Sequence, residues 1–102
     1  AVDLTVDVEE NEGVPGHYVL QQNYPNPFNP STTIQYALPH AASVRLIVFN
    51  TLGQQVADLV NATQEPGYHS VQFDGTMLSS GVYFYRLETA DFRETRKLML
   101  MK

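Results

Sequence analysis

The chain has 102 residues, no cysteine and a formal net charge of −5, with 43% hydrophobic residues. That length fits one domain with a core of its own, the absence of thiols excludes disulfides and thiolate metal sites, and no run approaches the roughly eighteen apolar residues of a membrane span. Asp3, Asp7, Glu9, Glu10 and Glu12 carry the whole charge excess, so the remainder is formally neutral and lacks the dense basic face that nucleic-acid binding requires.

A start at Ala1 without methionine is expected of a processed piece or an excised module. Residues 1–17 read as an acidic linker or N-terminal arm, ahead of a β-domain over 18–102. Val2, Leu4, Val6 and Val8 alternate as in a strand, either the last of a preceding domain or an arm that pairs in a larger assembly. The acidic stretch through Glu12, Gly13, Val14, Pro15 and Gly16 reads as a linker open to proteases.

Tyr18 to Gln22 reads as a short strand that runs into Asn23-Tyr24-Pro25-Asn26-Pro27-Phe28-Asn29-Pro30. Three prolines, and the restraint each places on the residue before it, exclude helix there. The expectation is a polyproline II ribbon with one amide edge (Asn23, Asn26, Asn29) and two apolar edges, its Tyr24 and Phe28 rings turned down. On such a ribbon the asparagines can satisfy backbone groups that no ladder partner reaches. A stiff turn that opens the domain and a PxxP ligand at Pro27–Pro30 are the alternatives.

Ser31 to Leu38 alternates with Ile34, Tyr36 and Leu38 on one face, and Ser43 to Asn50 with Val44, Leu46 and Val48. The opposite face of the second strand, Arg45, Ile47 and Phe49, is apolar enough to need partial cover. Gly53 supplies the left-handed residue of a three-residue hairpin loop. Gln54 to Val60 is then a paired strand, with a one-turn helix as competitor, and Asn61 to Gly67 is a polar loop. Tyr68 to Asp74 points His69, Val71 and Phe73 one way, and Met77 and Leu78 are expected to tuck under the domain. Gly81 to Glu88 is the most β-prone run and belongs at a sheet centre; Phe92 to about Met101 is the last strand. Seven short strands joined at Gly or Pro predict an all-β, antiparallel immunoglobulin-like β-sandwich.

Catalytic chemistry has little to work with. His69, Asp74 and Ser79 or Ser80 can be drawn as a triad, but no nucleophile elbow or oxyanion hole accompanies them. We expect no enzyme, no metal and no cofactor. Tyr68, Tyr83, Phe84 and Tyr85 offer an aromatic platform for sugar rings, or else core and cross-strand pairs. Asn61-Ala62-Thr63 matches a glycosylation triplet and marks an exposed segment.

The proline stretch with Leu20 to Ile34 around it, Val44 to Asn50 with Gly53, Gly81-Val82-Tyr83, and the ending Lys97-Leu98-Met99-Leu100-Met101-Lys102 occur in one order. In this they resemble the C-terminal sorting domain of type IX secretion, a family bordering on the immunoglobulin-like domain of flagellar hook-capping proteins. The resemblance covers 18–102 and leaves out the acidic arm. It implies a domain that ends a larger cargo protein and is exported through the periplasm to the cell surface or extracellular space. The implied partners are an outer-membrane secretion translocon and a sortase-like peptidase, which sometimes transfers the cargo to surface lipopolysaccharide. No nucleic acid and no transmembrane segment are expected. The implied cut lies in the linker Glu12, Gly13, Val14, Pro15, Gly16, His17, and the translocon-facing element is Arg93, Arg96, Lys97, Leu98, Met99, Leu100, Met101 and Lys102, offered by strand addition or charge complementarity. The competing readings are a carbohydrate-binding or adhesive module, a structural spacer that would not need the Lys-flanked ending, and, for the last strand, an edge guarded by its charges.

Overall fold

The computed structural model describes residues 15–102. Its elements are β1 (Val19–Leu20), β2 (Ser31–Leu38), β3 (Ala42–Phe49), β4 (Gln55–Gln64), β5 (Gly67–Asp74), β6 (Gly81–Glu88) and β7 (Arg93–Leu100). They form a three-stranded sheet in the order β1-β2-β5 and a four-stranded sheet in the order β4-β3-β6-β7, with every pairing antiparallel. This is the immunoglobulin-like sandwich expected from the strand pattern. Among the described residues no helix is long and apolar enough to cross a membrane.

Period-two alternation fixes which side chains meet between the sheets. Ile34, Tyr36, Leu38 and Phe73 come from one sheet, and Val44, Leu46, Val48, Tyr83, Tyr85, Leu87, Leu98 and Leu100 from the other. Leu20 and Phe28 join them. β6 is interior to its sheet, as its composition demands. The far side of β3 is covered as expected: Ile47 is buried beside Arg86 and Asp58 on the flanking strands, and the Arg86 guanidinium lies 4.7 Å from the centre of the Phe49 ring. Long cationic stems shield apolar surface while their heads stay wet.

Three expectations need correction. Asn61 to Gln64 is strand, with Ala42 opposite Gln64, so only Glu65-Pro66 carries the chain to the other sheet. These polar residues pair because β3 supplies the ladder and their side chains stand at an exposed margin. Two register shifts, at Leu46/Ile47 and Val48/Phe49, leave Val56, Ala57, Leu59 and Val60 all half-buried. That spacing imitates a helix in sequence, whereas bulges produce it here.

Met77 does not tuck inward; it is 93% exposed, and only Leu78 of that pair packs on the core. The proline stretch is not a three-edged ribbon with both rings down. Asn23 and Phe28 are its buried members, while Tyr24 is 81% exposed, and all three X-Pro bonds are cis. Of the two readings of the aromatic residues, the core one holds for Tyr83 and Tyr85. At Gly53 the reading holds. Its φ is +82°, and the Asn50 side-chain carbonyl accepts the N–H groups of Leu52 and Gln54 at 2.9 and 3.0 Å.

Candidate functional site

Among the described residues β7 lies at the margin of its sheet, and one row of its backbone groups has none of the named strands beside it. The proline stretch occupies that row over the terminal half. The Phe28 N–H donates to the Met99 carbonyl at 2.9 Å, and the Met101 N–H donates to the Phe28 carbonyl at 3.0 Å. The Met99 N–H donates to Oδ1 of Asn26 at 3.0 Å, and Nε2 of Gln22 donates to the Lys97 carbonyl at 2.8 Å. Prolines lack the N–H that would continue a regular ladder, and side-chain amides take over part of the pairing.

The stretch is itself held from the core. The Tyr85 hydroxyl donates to the Gln21 carbonyl at 2.5 Å and accepts the Asn23 N–H at 2.8 Å. Burial pushes this phenol up to about 12, against the opposing pull of the Asn23 hydrogen bond and the Arg96 charge. The Asn23 amide, almost fully buried, donates to the Pro25 carbonyl and to the Thr32 hydroxyl at 3.1 and 3.0 Å. Tyr24 bridges to Thr33 through two backbone bonds of 3.0 Å. Phe28 drops its ring beside Phe73, with centroids 5.9 Å apart. Gly75 makes room for this: a Cβ there would stand 3.0 Å from Leu100 and 3.2 Å from Phe28. Its N–H donates to the Pro30 carbonyl at 2.8 Å. Pro25, Asn26, Pro27 and Asn29 remain on the surface.

The eight terminal positions divide by face. Leu98 and Leu100 are 0% and 1% exposed and form part of the core, so they are not presented by the folded domain. Arg96 donates through Nε to the Leu20 carbonyl at 2.6 Å and pairs with Glu94 at 3.2 Å, which ties β7 to β1 in the other sheet. Arg93, Lys97, Met99, Met101 and Lys102 face solvent. Lys102 is anchored by its N–H to the Ser80 hydroxyl at 2.9 Å and by Nζ to the Thr76 carbonyl at 2.5 Å.

A family model described as Secretion system C-terminal sorting domain matches residues 22–101, from the first amide on the β7 margin to the last backbone bond with Phe28. The chain belongs to that family, the sorting domains of type IX secretion. Searches of curated proteins and of solved structures returned no match.

In this sorting domain several of the motif residues are tied into the fold. Asn23 and Phe28 are buried, Gly53 forms a turn, Tyr83 donates its hydroxyl to the Ser79 carbonyl at 2.7 Å, and Gly81 and Val82 begin β6 opposite Leu100 and Met99. Glu12, Gly13 and Val14 of the linker, with the alternating arm, lie outside the described residues. Pro15 is buried rather than open, while Gly16 and His17 are exposed. The residues drawn as a triad have other partners: Asp74 accepts from Thr76, and the His69 Nε2 meets the Glu65 carbonyl at 2.8 Å while its ring stacks on Tyr36. Pro15 and His17 border an open cleft of about 460 Å³ whose floor includes Gln35, Ala37 and Tyr68. Sequence reasoning missed the Tyr85 hydroxyl, Gln22 and Gly75. Nothing local marks them, because each acts on a segment far along the chain.

Proposed function

We propose that this domain is the folded address label of a larger cargo protein. The outer-membrane translocon of type IX secretion takes it from the periplasm, and a sortase-like peptidase then separates cargo from label at the linker. The observation that carries the reading is the hydrogen-bonded unit made by the proline stretch and β7. A sorting signal must survive the periplasm without pairing with other strands, and a margin covered over its terminal half serves that need. It also bears on mechanism: strand addition over Lys97 to Met101 would first have to displace Gln22 to Phe28. Recognition through the outward side chains Arg93, Lys97, Met99, Met101 and Lys102 needs no such opening, with Leu98, Leu100 and Arg96 holding the strand in place.

The domain proper runs over 18–102, and the cut falls in the linker Glu12 to His17. A peptidase needs an accessible segment, and Gly16 and His17 of this linker are exposed. The test is a reporter fused ahead of residues 1–102 in a bacterium with a type IX system, its C-terminus read by mass spectrometry. Export with trimming at the linker is expected. A reporter left in the periplasm beside an intact, folded domain overturns the reading.

A second reading, a carbohydrate-binding module, rests on the cleft bordered by Tyr68, which is 67% exposed above a lining that, among the described residues, has no Asp, Glu, Lys or Arg. An exposed ring and neutral amides suit sugar hydroxyls and C–H faces. Binding of neutral oligosaccharides that is lost in Tyr68→Ala would favour it.

A further inference from the structure

The outward face of β7 carries a half-buried apolar row, and a distant loop is held at the same end of the sheet. Met99 stands opposite Val82, and Lys97 opposite Phe84, which in turn stands opposite Phe49. Val82, Phe84 and Phe49 are only half-buried, so the row opens toward solvent. Met99 is 37% and Met101 55% exposed. The two hydrogen bonds from Lys102 to Ser80 and Thr76 bring the β5–β6 loop against the chain end, and that loop carries Met77 at 93% exposure.

All three methionines of the chain are thus exposed at one end of the sandwich. Methionine side chains are flexible and polarizable, which suits them to surfaces that adapt to a partner. Around them, Lys97 and Lys102 supply positive charge and Asp74, bonded to Thr76, the nearby negative charge.

We propose that the translocon contacts a composite surface of Met77, Met99 and Met101 with Val82, flanked by Lys97 and Lys102, and that the contacting protein presents an apolar groove edged with carboxylates. This rests on the sorting reading and deepens it, because the recognised feature is a folded surface rather than a linear ending. Two properties decide the partner's chemistry. Three exposed methionines stand at the end of the half-buried apolar row. The cations beside it are lysines, compact point charges that attract carboxylates at the rim and speed encounter.

Met77 lies outside the terminal segment, so it separates a surface from a linear signal. The test uses the full chain behind the reporter. Met77→Gln alone is expected to lower export several-fold, and the triple change Met77→Gln, Met99→Gln, Met101→Gln about tenfold or more, with the unfolding midpoint of Met77→Gln unchanged. Wild-type export of the folded Met77→Gln and triple variants overturns the composite surface and leaves the sorting reading standing. Failure of the unaltered domain to export its reporter overturns both. Loss of binding to anionic phospholipid vesicles in the triple variant, with export intact, assigns the surface to a membrane and overturns the protein partner.

Discussion

The Phe28 N–H meets the Met99 carbonyl at 2.9 Å, while the Phe28 ring sits buried between the sheets. One residue of the proline stretch therefore closes the margin of the last strand with its backbone and fills the core with its side chain. Both tasks fall on one residue, so loss of the ring is expected to loosen the backbone pairing with β7.

Phe28→Ala is expected to cost about 3–5 kcal/mol, the range for deleting a buried aromatic ring. Tyr24→Ala, in the same motif but on the surface, is expected to change stability by no more than about 0.5 kcal/mol. Urea unfolding checks both. Amide exchange at Met99 and Met101 should accelerate in the first variant alone.

Alkaline stability should depend on Tyr85. An unfolded tyrosine titrates near 10 and the folded Tyr85 phenol near 12, so ionisation favours the unfolded chain between those values. The contribution is complete below about pH 10 and is lost as the pH rises toward 12. Tyr36, also raised by burial, acts in the same direction. Tyr85→Phe should flatten the fall in stability over this interval. It should also lower stability at neutral pH by about 1–3 kcal/mol, because the Gln21 carbonyl and Asn23 N–H lose their partner.

Arg96 and Lys97 are adjacent in sequence and differ in role. Arg96→Gln is expected to cost about 1.5 kcal/mol through its bond to the Leu20 carbonyl, whereas Lys97→Gln should leave stability within about 0.5 kcal/mol. Under the proposed recognition, Lys97→Gln lowers reporter export while the domain stays folded. Thermal unfolding and export assays on the same two variants separate the effects.

Processing within the linker Glu12 to His17 should leave a domain whose first residue lies between Gly13 and Tyr18. Mass spectrometry of the fragment released in a type IX secreting strain checks this. A fragment beginning at His17 or Tyr18 would mean that Pro15 leaves its buried site before the cut.

Much of the sandwich is legible in the sequence. The alternations at Ile34-Tyr36-Leu38, Val44-Leu46-Val48 and Tyr83-Tyr85-Leu87 each place one face in the core, because side chains on a strand repeat every two residues. The scheme fails at Val56 to Val60, where bulges break the period, and at Asn61 to Gln64, where pairing with β3 overrides polar composition. Met77 reads as buried on hydrophobicity alone, yet a loop position is decided by what the loop packs against.

By itself, then, the sequence determined the strands, most of their inward faces, the family, and a proline segment that no helix can accommodate. These follow from local restraints: φ limits at proline and the two-residue period of a strand. Only the tertiary structure decided that Asn26 serves Met99 across 73 positions and that the Tyr85 hydroxyl serves Gln21 across 64. The open groups of a marginal strand carry no pattern that names their partner. Their satisfaction depends on which segment the closed core brings alongside.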